Sequence, residues 1–391
     1  MHGQTARKQR ASQRTGLSKS FREFAVNPAA SAATVNLTVK HLLSSALATL
    51  CLGAFAQAAF AAVSPGSSTR PKDTIIVDAK TEAVIKGGLK YLASKQQPSG
   101  AWGFSGDEQR RQVAMTGYTL MAFQATGHLP GEGEYGKNVT AGLNYLLDSI
   151  GPDGLYNMRS DGQYMYSHGI ATIALAELYG QTKSPTMRPK LDKAVKVIIS
   201  AQATEPGHEG GWRYRPIAKD ADISVTVLQV VALRAAKNGG LEVPQRTIDE
   251  AVAYVKRCQD ERTGGFCYQP QRDPGFARTA AAIYSLQVCG LYDDPMVKKG
   301  SAYLFDNMRE DHEWFTYGNF YAASAQYMVG GDTWAKWYPK VKDILMSQVV
   351  KQGDVAYWEA RGRGGVGPTF CTAVYTMILA MPYHYIPLYQ R

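Results

Sequence analysis

Six times between residues 86 and 358 the chain repeats one line: a helical stretch with an aromatic or aliphatic pair, a residue that closes it, then a glycine followed closely by an aromatic. "KGGLKYLASKQQPSGAW" (86–102) is the clearest copy. "AGLNYLLDSIGPDGLY" (141–156), "KAVKVIISAQATEPGHEGGW" (193–212) and "EAVAYVKRCQDERTGGF" (250–266) follow, and 299–314 and 340–358 are looser copies. Gln96, Gln202, Gln259 and Gln348 share the closing place, with Ile150 and Asn307 substituting, at spacings of 54, 52, 57, 48 and 41 residues. A period of this size marks a repeat architecture, in which one unit cannot bury its apolar face alone and stacks on its neighbours.

Between these lines lie second helices, at 115–127, 167–180, 222–240, 277–290, 317–331 and 368–382. They are rich in Ala, Gly, Ser and Thr, carry few charges, and most end in Gly, a residue suited to a helix C-cap. The first-helix set is amphipathic. The contrast predicts two concentric rings, with small apolar helices inside and amphipathic ones outside. Residues 223–231 are β-branched enough to pass for a strand, and their place in the repeat predicts helix. The expected fold is all-α, an (α/α)6 toroid of six helical hairpins over 78–391, with an open solenoid as the alternative.

The formal charge of +10 would suggest a nucleic-acid partner if it were concentrated on the fold. It is not. Residues 1–61 hold seven Lys/Arg and one acid, Glu23, so six of the ten net charges lie ahead of the repeats. No nucleic-acid partner is expected. Residues 1–39 read as a disordered basic extension or a mis-assigned start, since translation from Val35 or Val39 would leave a leader of normal length. Residues 40–62 read as a secretory signal: Lys40 and His41, an apolar run, then Ala59 and Ala61 in an Ala-x-Ala arrangement. An uncleaved anchor is the alternative. Residues 63–77 read as a linker. Export would permit a disulfide between Cys258 and Cys267, with free buried thiols as the other reading.

The first line, Gln96-x-x-x-Gly100-x-Trp102 preceded by Lys86-Gly87 and Tyr91-Leu92, resembles the QW motif of squalene and oxidosqualene cyclases. Gln202 with Trp212, Gln259, and Trp358 fall in the degenerate copies. The repeat region is similar to the prenyltransferase/squalene-cyclase superfamily. "MYSHGIATIALAELYG" (165–180), "GGWRYRP" (210–216) and "YHYIPLYQR" (383–391) resemble its exported, single-barrel bacterial members. The resemblance implies an (α/α)6 barrel. It also implies a structural role for Trp102, fastening one hairpin to the next. Class II cyclases of the family protonate their substrate with the central acid of Asp-x-Asp-Asp. Here Asp220 and Asp222 match the first two aspartates and Ile223 replaces the third. The Asp, Cys and His of the zinc prenyltransferases have no match, so neither a metal nor another cofactor is expected.

Asp222 is thus either a general acid or a helix N-cap, and the adjacent Arg213 and Arg215 would hold it ionised. His168 opens an inner helix near Tyr164 and Tyr166 and could share a mouth with Asp222. Tyr118, Phe123, Tyr166, Tyr284, Tyr317, Phe320, Tyr321 and Tyr375 are either cavity wall or plain core. Arg361 and Arg363 sit in a Gly-rich loop that could meet an anion. No P-loop, Ser-His-Asp or HExxH pattern occurs. The expected partner is an apolar small molecule of isoprenoid type, with peripheral membrane contact left open. A non-catalytic toroid for protein or envelope contact is the alternative. A glycan-active barrel is weaker, because few acids sit on the inner helices.

Overall fold

A computed structural model describes residues 75–386, apart from 105, 158–160 and 361–365. The expected leader at 40–62, the linker up to residue 74 and the Arg361–Arg363 loop therefore lie outside the described residues, as does the end of the chain from 387.

Six helices form the inner ring: α3 (Gln112–Ala125), α5 (Tyr164–Thr182), α7 (Ile223–Gly239), α9 (Phe276–Val288), α11 (Phe315–Val329) and α13 (Pro368–Ala380). Six alternate with them outside: α1 (Ala79–Ser94), α4 (Gly136–Ser149), α6 (Arg188–Ser200), α8 (Gln245–Arg257), α10 (Pro295–Asp306) and α12 (Gly331–Gln348). A short α2 (Gly106–Arg110) precedes α3. Each inner helix packs on the next in chain order, and α13 packs on α3, so the ring closes. The open solenoid is thereby excluded. Residues 223–231 are helical, because on a fully buried inner helix β-branched side chains find packing on every side. From Ile223 to Leu233 every residue of α7 is buried, whereas α8 buries only the stripe Thr247, Ile248, Ala251, Tyr254 and Val255.

The repeated line makes one set of contacts three times. Gln96 Nε2 donates to the Gly100 carbonyl and to the Asn138 carbonyl in the first turn of α4, both at 2.9 Å. Gln202 does the same to Gly210 and Thr247, and Gln259 to Gly264 and Met296. Trp102, Trp212 and Trp358 are buried, and their indole N–H groups donate to Leu92, Ile198 and Leu345 carbonyls near the ends of the outer helices. Gly100 has φ +88°, and a Cβ there would run into the Ala141 carbonyl, so only glycine lets the turn approach α4. A further regularity accompanies the tryptophans. The backbone N–H of Trp102, Trp212 and Trp358 donates to the hydroxyl of the threonine fourteen residues on, at Thr116, Thr226 and Thr372.

The two ends of the ring are stitched across the whole sequence. Glu108 of α2 is buried and its Oε1 accepts the N–H groups of Thr369 and Phe370, capping α13. The last unit departs from pure helix. A two-stranded antiparallel ladder pairs β1 (Val350–Gln352) with β2 (Val355–Tyr357), and Tyr357 stacks on Tyr91 of α1 at 4.8 Å. Cys258, Cys267, Cys289 and Cys371 are free thiols. Among the described residues, no helix is long and apolar enough to cross a membrane.

Candidate functional site

Alternation of inner and outer helices makes all six inner helices start at the same end of the toroid. A cavity of about 730 Å3 opens there. Tyr118 of α3, Tyr166 of α5, Tyr317 of α11, Phe276 of α9 and Phe370 of α13 supply its aromatic wall. Tyr214 and Tyr268 reach it from the loops before α7 and α9, and Trp314, 45% exposed, stands at its lip. Arg111, Gln163, Arg278, His312 and Asp107 give the mouth its polar groups. The wall is tightly built. Tyr118 packs edge-on against Phe320 and Phe370, at 5.5 and 4.9 Å between ring centres. Tyr317 lies 6.5 Å from Tyr166 and donates its hydroxyl to the Ser224 carbonyl at 3.0 Å. Burial holds the Tyr118 and Tyr317 hydroxyls above their ordinary range, so both are neutral. Burial, with Arg309 and Arg278 beside it, lowers His312.

Behind this wall lies a charged cluster. Asp222 is fully buried at the N-cap of α7, where Oδ1 accepts the Val225 N–H at 2.9 Å and Oδ2 accepts from Arg213 Nη1 at 2.5 Å. Arg213 also pairs through Nε with Asp220 at 3.0 Å, lies over the Tyr214 ring at 4.0 Å, and donates to the Tyr268 hydroxyl. The Tyr214 and Tyr268 hydroxyls are 2.6 Å apart. Burial holds the Asp222 carboxyl above the ordinary carboxylate range, and the Val225 N–H and the Arg213 guanidinium offset this only in part. Burial alone would lower Arg213, and Asp222 and Tyr268 more than reverse it. Both carboxylate oxygens act as acceptors of donors the fold supplies. Asp222 therefore serves as cap and counter-ion, with Tyr214 and Tyr268 between it and the cavity.

The two residues expected to share the mouth do not meet. His168 is buried one turn into α5 and faces α6: Nε2 lies 3.0 Å from the Ala194 carbonyl, and Nδ1 lies 3.2 Å from the Tyr164 hydroxyl. A carbonyl only accepts, so Nε2 carries the proton and Nδ1 accepts from Tyr164. Burial lowers its pKa to about 4. Folding thus holds His168 neutral at a pH where the unfolded chain would protonate it. The stability this gives is intact above the ordinary pKa near 6.5 and is lost as pH falls toward 4, to the extent of about 3 kcal/mol. Urea unfolding at pH 7, 5.5 and 4 should show that loss, reduced in His168→Gln. A pH dependence identical in the two proteins would refute the assignment.

Of the other expected wall residues, Tyr118, Tyr166 and Tyr317 line the cavity. Phe320 and Tyr321 back it, with Tyr321 5.0 Å from Tyr317 and Tyr284 6.2 Å from Tyr321. Tyr375 is placed on the far side of its helix, bonded to Thr316 at 2.7 Å and packed on Trp358. Sequence reasoning missed Tyr214 and Tyr268, although both stand two residues after the repeat aromatic, at Trp212-x-Tyr214 and Phe266-x-Tyr268. Among the described residues no group of three His, Cys, Asp or Glu could hold a metal ion.

No protein-family profile and no curated protein matches the chain. Solved structures do. An α-1,6-mannanase of Salegentibacter sp. superposes with a TM-score of 0.58 at 7% identity, covering 78% of this chain and 99% of that one. Protein geranylgeranyltransferase-I of Candida albicans, solved with GGPP, gives 0.52 at 13% identity over 77% and 92%. A type II terpene cyclase from Scytonema gives 0.51 at 12% identity over 78% and 99%. The chain has the α/α toroid fold that these proteins share.

Proposed function

We propose that this toroid binds an apolar small molecule of isoprenoid type in the cavity at the starts of its inner helices, and does so outside the cytoplasm. The observation that carries this reading is the aromatic wall of Tyr118, Tyr166, Phe276, Tyr317 and Phe370 around a cavity of about 730 Å3. That volume is within the range of small-molecule sites, and neutral aromatic faces suit an unsaturated hydrocarbon chain. The GGPP carried by the Candida protein on the same fold is consistent with such an occupant. The leader-like segment at 40–62 supports export.

Binding without class II chemistry is the better-supported form of the reading. An acid that protonates an alkene must hold a proton and face the substrate. Asp222 fits this poorly: both its oxygens accept from Val225 and Arg213, and it takes no part in the cavity lining. Glycan hydrolysis fits less well still. It needs two carboxyl groups flanking the bond, and among the described lining residues Asp107 is the one carboxylate.

Calorimetric titration with geranylgeraniol, a neutral C20 alcohol, tests the reading. Saturable binding is expected, weakened about 10-fold in Tyr166→Ala, since losing one buried aromatic contact costs on the order of 1–2 kcal/mol. Protein recovered from the exported fraction should begin after Ala61 or Ala62 and carry polyprenyl species enriched over the bulk lipid. No binding and no enriched species would end the proposal.

A further inference from the structure

We infer that the ligand carries an acidic head group, held at the cavity mouth between Arg111 and Arg278 while its apolar body lies on the tyrosine wall. This rests on the reading above that the cavity takes an apolar ligand, and it adds the chemical class of that ligand: an amphipathic carboxylic or phosphoric acid.

Three observations lead there. The first is charge left uncompensated. Arg111 and Arg278 both line the cavity. Arg111 Nη2 donates to Gln163 Oε1 at 3.1 Å, and Arg278 Nη1 donates to the Asp273 carbonyl at 2.7 Å. Each guanidinium is thus oriented by a neutral acceptor and keeps most of its five N–H donors. Among the described residues no carboxylate pairs with either one. Asp107, the acid in the lining, pairs with Arg110. Arg213 is nearby, but its charge is spent on Asp222 and Asp220.

The second is the ring itself. Six inner helices direct their positive ends at one mouth. Two of them are capped by the fold's own carboxylates, α7 by Asp222 and α13 by Glu108. The other four, α3, α5, α9 and α11, have no side-chain cap. Their N-cap residues are Arg111, Gln163, Gly275 and Trp314, and all four line the cavity. At α5 the Met165 and Tyr166 N–H groups bond to the Tyr214 and Gln163 carbonyls, and at α11 the Phe315 N–H bonds to the His312 carbonyl, so it is chiefly the starts of α3 and α9, which carry Arg111 and Arg278, that favour an anion there.

The third is placement. In the ring order α3, α5, α7, α9, α11, α13, the helices that Arg111 precedes and that Arg278 belongs to stand opposite one another. Neighbouring helix axes about 8–10 Å apart put opposite axes about 16–20 Å apart. Arg111 and Arg278 thus hold guanidinium groups on opposite sides of one mouth, Arg111 against Gln163 and Arg278 against the Asp273 carbonyl. Below them, Tyr118, Tyr166 and Tyr317 offer the apolar wall.

The test compares three C20 probes by calorimetry at one ionic strength: geranylgeraniol, geranylgeranyl phosphate and geranylgeranoic acid. At least one acid is expected to bind about 10- to 100-fold more tightly than the alcohol, the worth of charge-assisted hydrogen bonds. A gain confined to the phosphate assigns a phosphoryl head, and a gain for the carboxylate assigns a carboxylic acid. Arg111→Gln and Arg278→Gln should each remove most of the gain, weakening the acids at least about 10-fold more than the alcohol. If the alcohol binds as tightly as both acids, the acidic head group is overturned while the apolar site stands. The same holds if either variant weakens all three probes alike. If none of the three binds, both readings fall together.

Discussion

Replacing Arg213 with leucine is expected to cost about 3–5 kcal/mol of folding stability, the range for removing one partner of a buried ion pair. The cause is Asp222. Its side chain has no solvent exposure, and Arg213, 22% exposed, is the cation on it. Without the guanidinium, a carboxylate stays in the interior with one backbone N–H and the Tyr268 hydroxyl for company. Protonation relieves it, and burial already pushes its pKa upward. A group whose folded pKa lies above its unfolded value stabilises below the unfolded pKa and loses that contribution as pH rises through the folded one. The variant's deficit should therefore be smallest in acid and widen toward neutral pH. Asn caps a helix about as well as Asp, so the double variant Arg213→Leu/Asp222→Asn should recover at least half of the loss. Denaturant unfolding of the single and double variants between pH 4 and 7 decides it. A single-variant loss below about 1 kcal/mol, or no recovery in the double, would refute this account of the cluster.

Trp102→Ala is expected to be comparably damaging, at about 3–5 kcal/mol. The indole is fully buried, and its N–H donates to the Leu92 carbonyl at 2.7 Å. It packs so closely on α4 that a Cβ on Gly142 would lie 2.6 Å from the ring. Truncation leaves a void between α1, α4 and the turn, and removes the one donor that the indole gives to the end of α1. Trp102→Phe keeps much of the volume and loses the N–H, so it should fall between the two. Ligand affinity should be unchanged in both, because Trp102 takes no part in the cavity lining. Thermal melting with calorimetry on the same samples separates the effects. Unchanged melting with lost binding would make Trp102 a ligand contact after all.

These two residues show where the sequence was informative. Trp102 was legible because a repeat writes its constraints several times: glutamine, glycine and aromatic recur, and a reader can average over copies. The chemistry around Asp222 was half legible. Its two readings, acid or cap, were both visible, and Arg213 was close enough in sequence to weigh against the acid. His168 was legible as to level in the toroid and illegible as to direction. Helices buried on all sides, such as α5 and α7, carry no apolar periodicity, so nothing in the sequence separates the face toward the cavity from the face toward the outer ring. That is why Tyr166 lines the cavity while His168, two residues on, turns to α6. Tyr214 and Tyr268 escaped notice for a different reason. Loop residues gain their place only from long-range closure, here the meeting of two loops through Arg213.

The cap that Glu108 places on α13 joins residues 261 positions apart. Until the last helix has been made, α3 has one inner flank bare, and α1 has β2 but not α13 to lie against. The growing chain is an arc, and although β2 reaches α1 first, the inner ring stays open until α13 lies against α3. Open arrays gain stability one unit at a time. A closed one with so distant a joint adds contacts of high sequence separation, which in general slow folding. A chain cut short by its final helix would keep five hairpins and the β2 contact with α1, yet leave the inner ring open and Glu108 with no helix to cap, so closure rests on geometry rather than on any single strong contact.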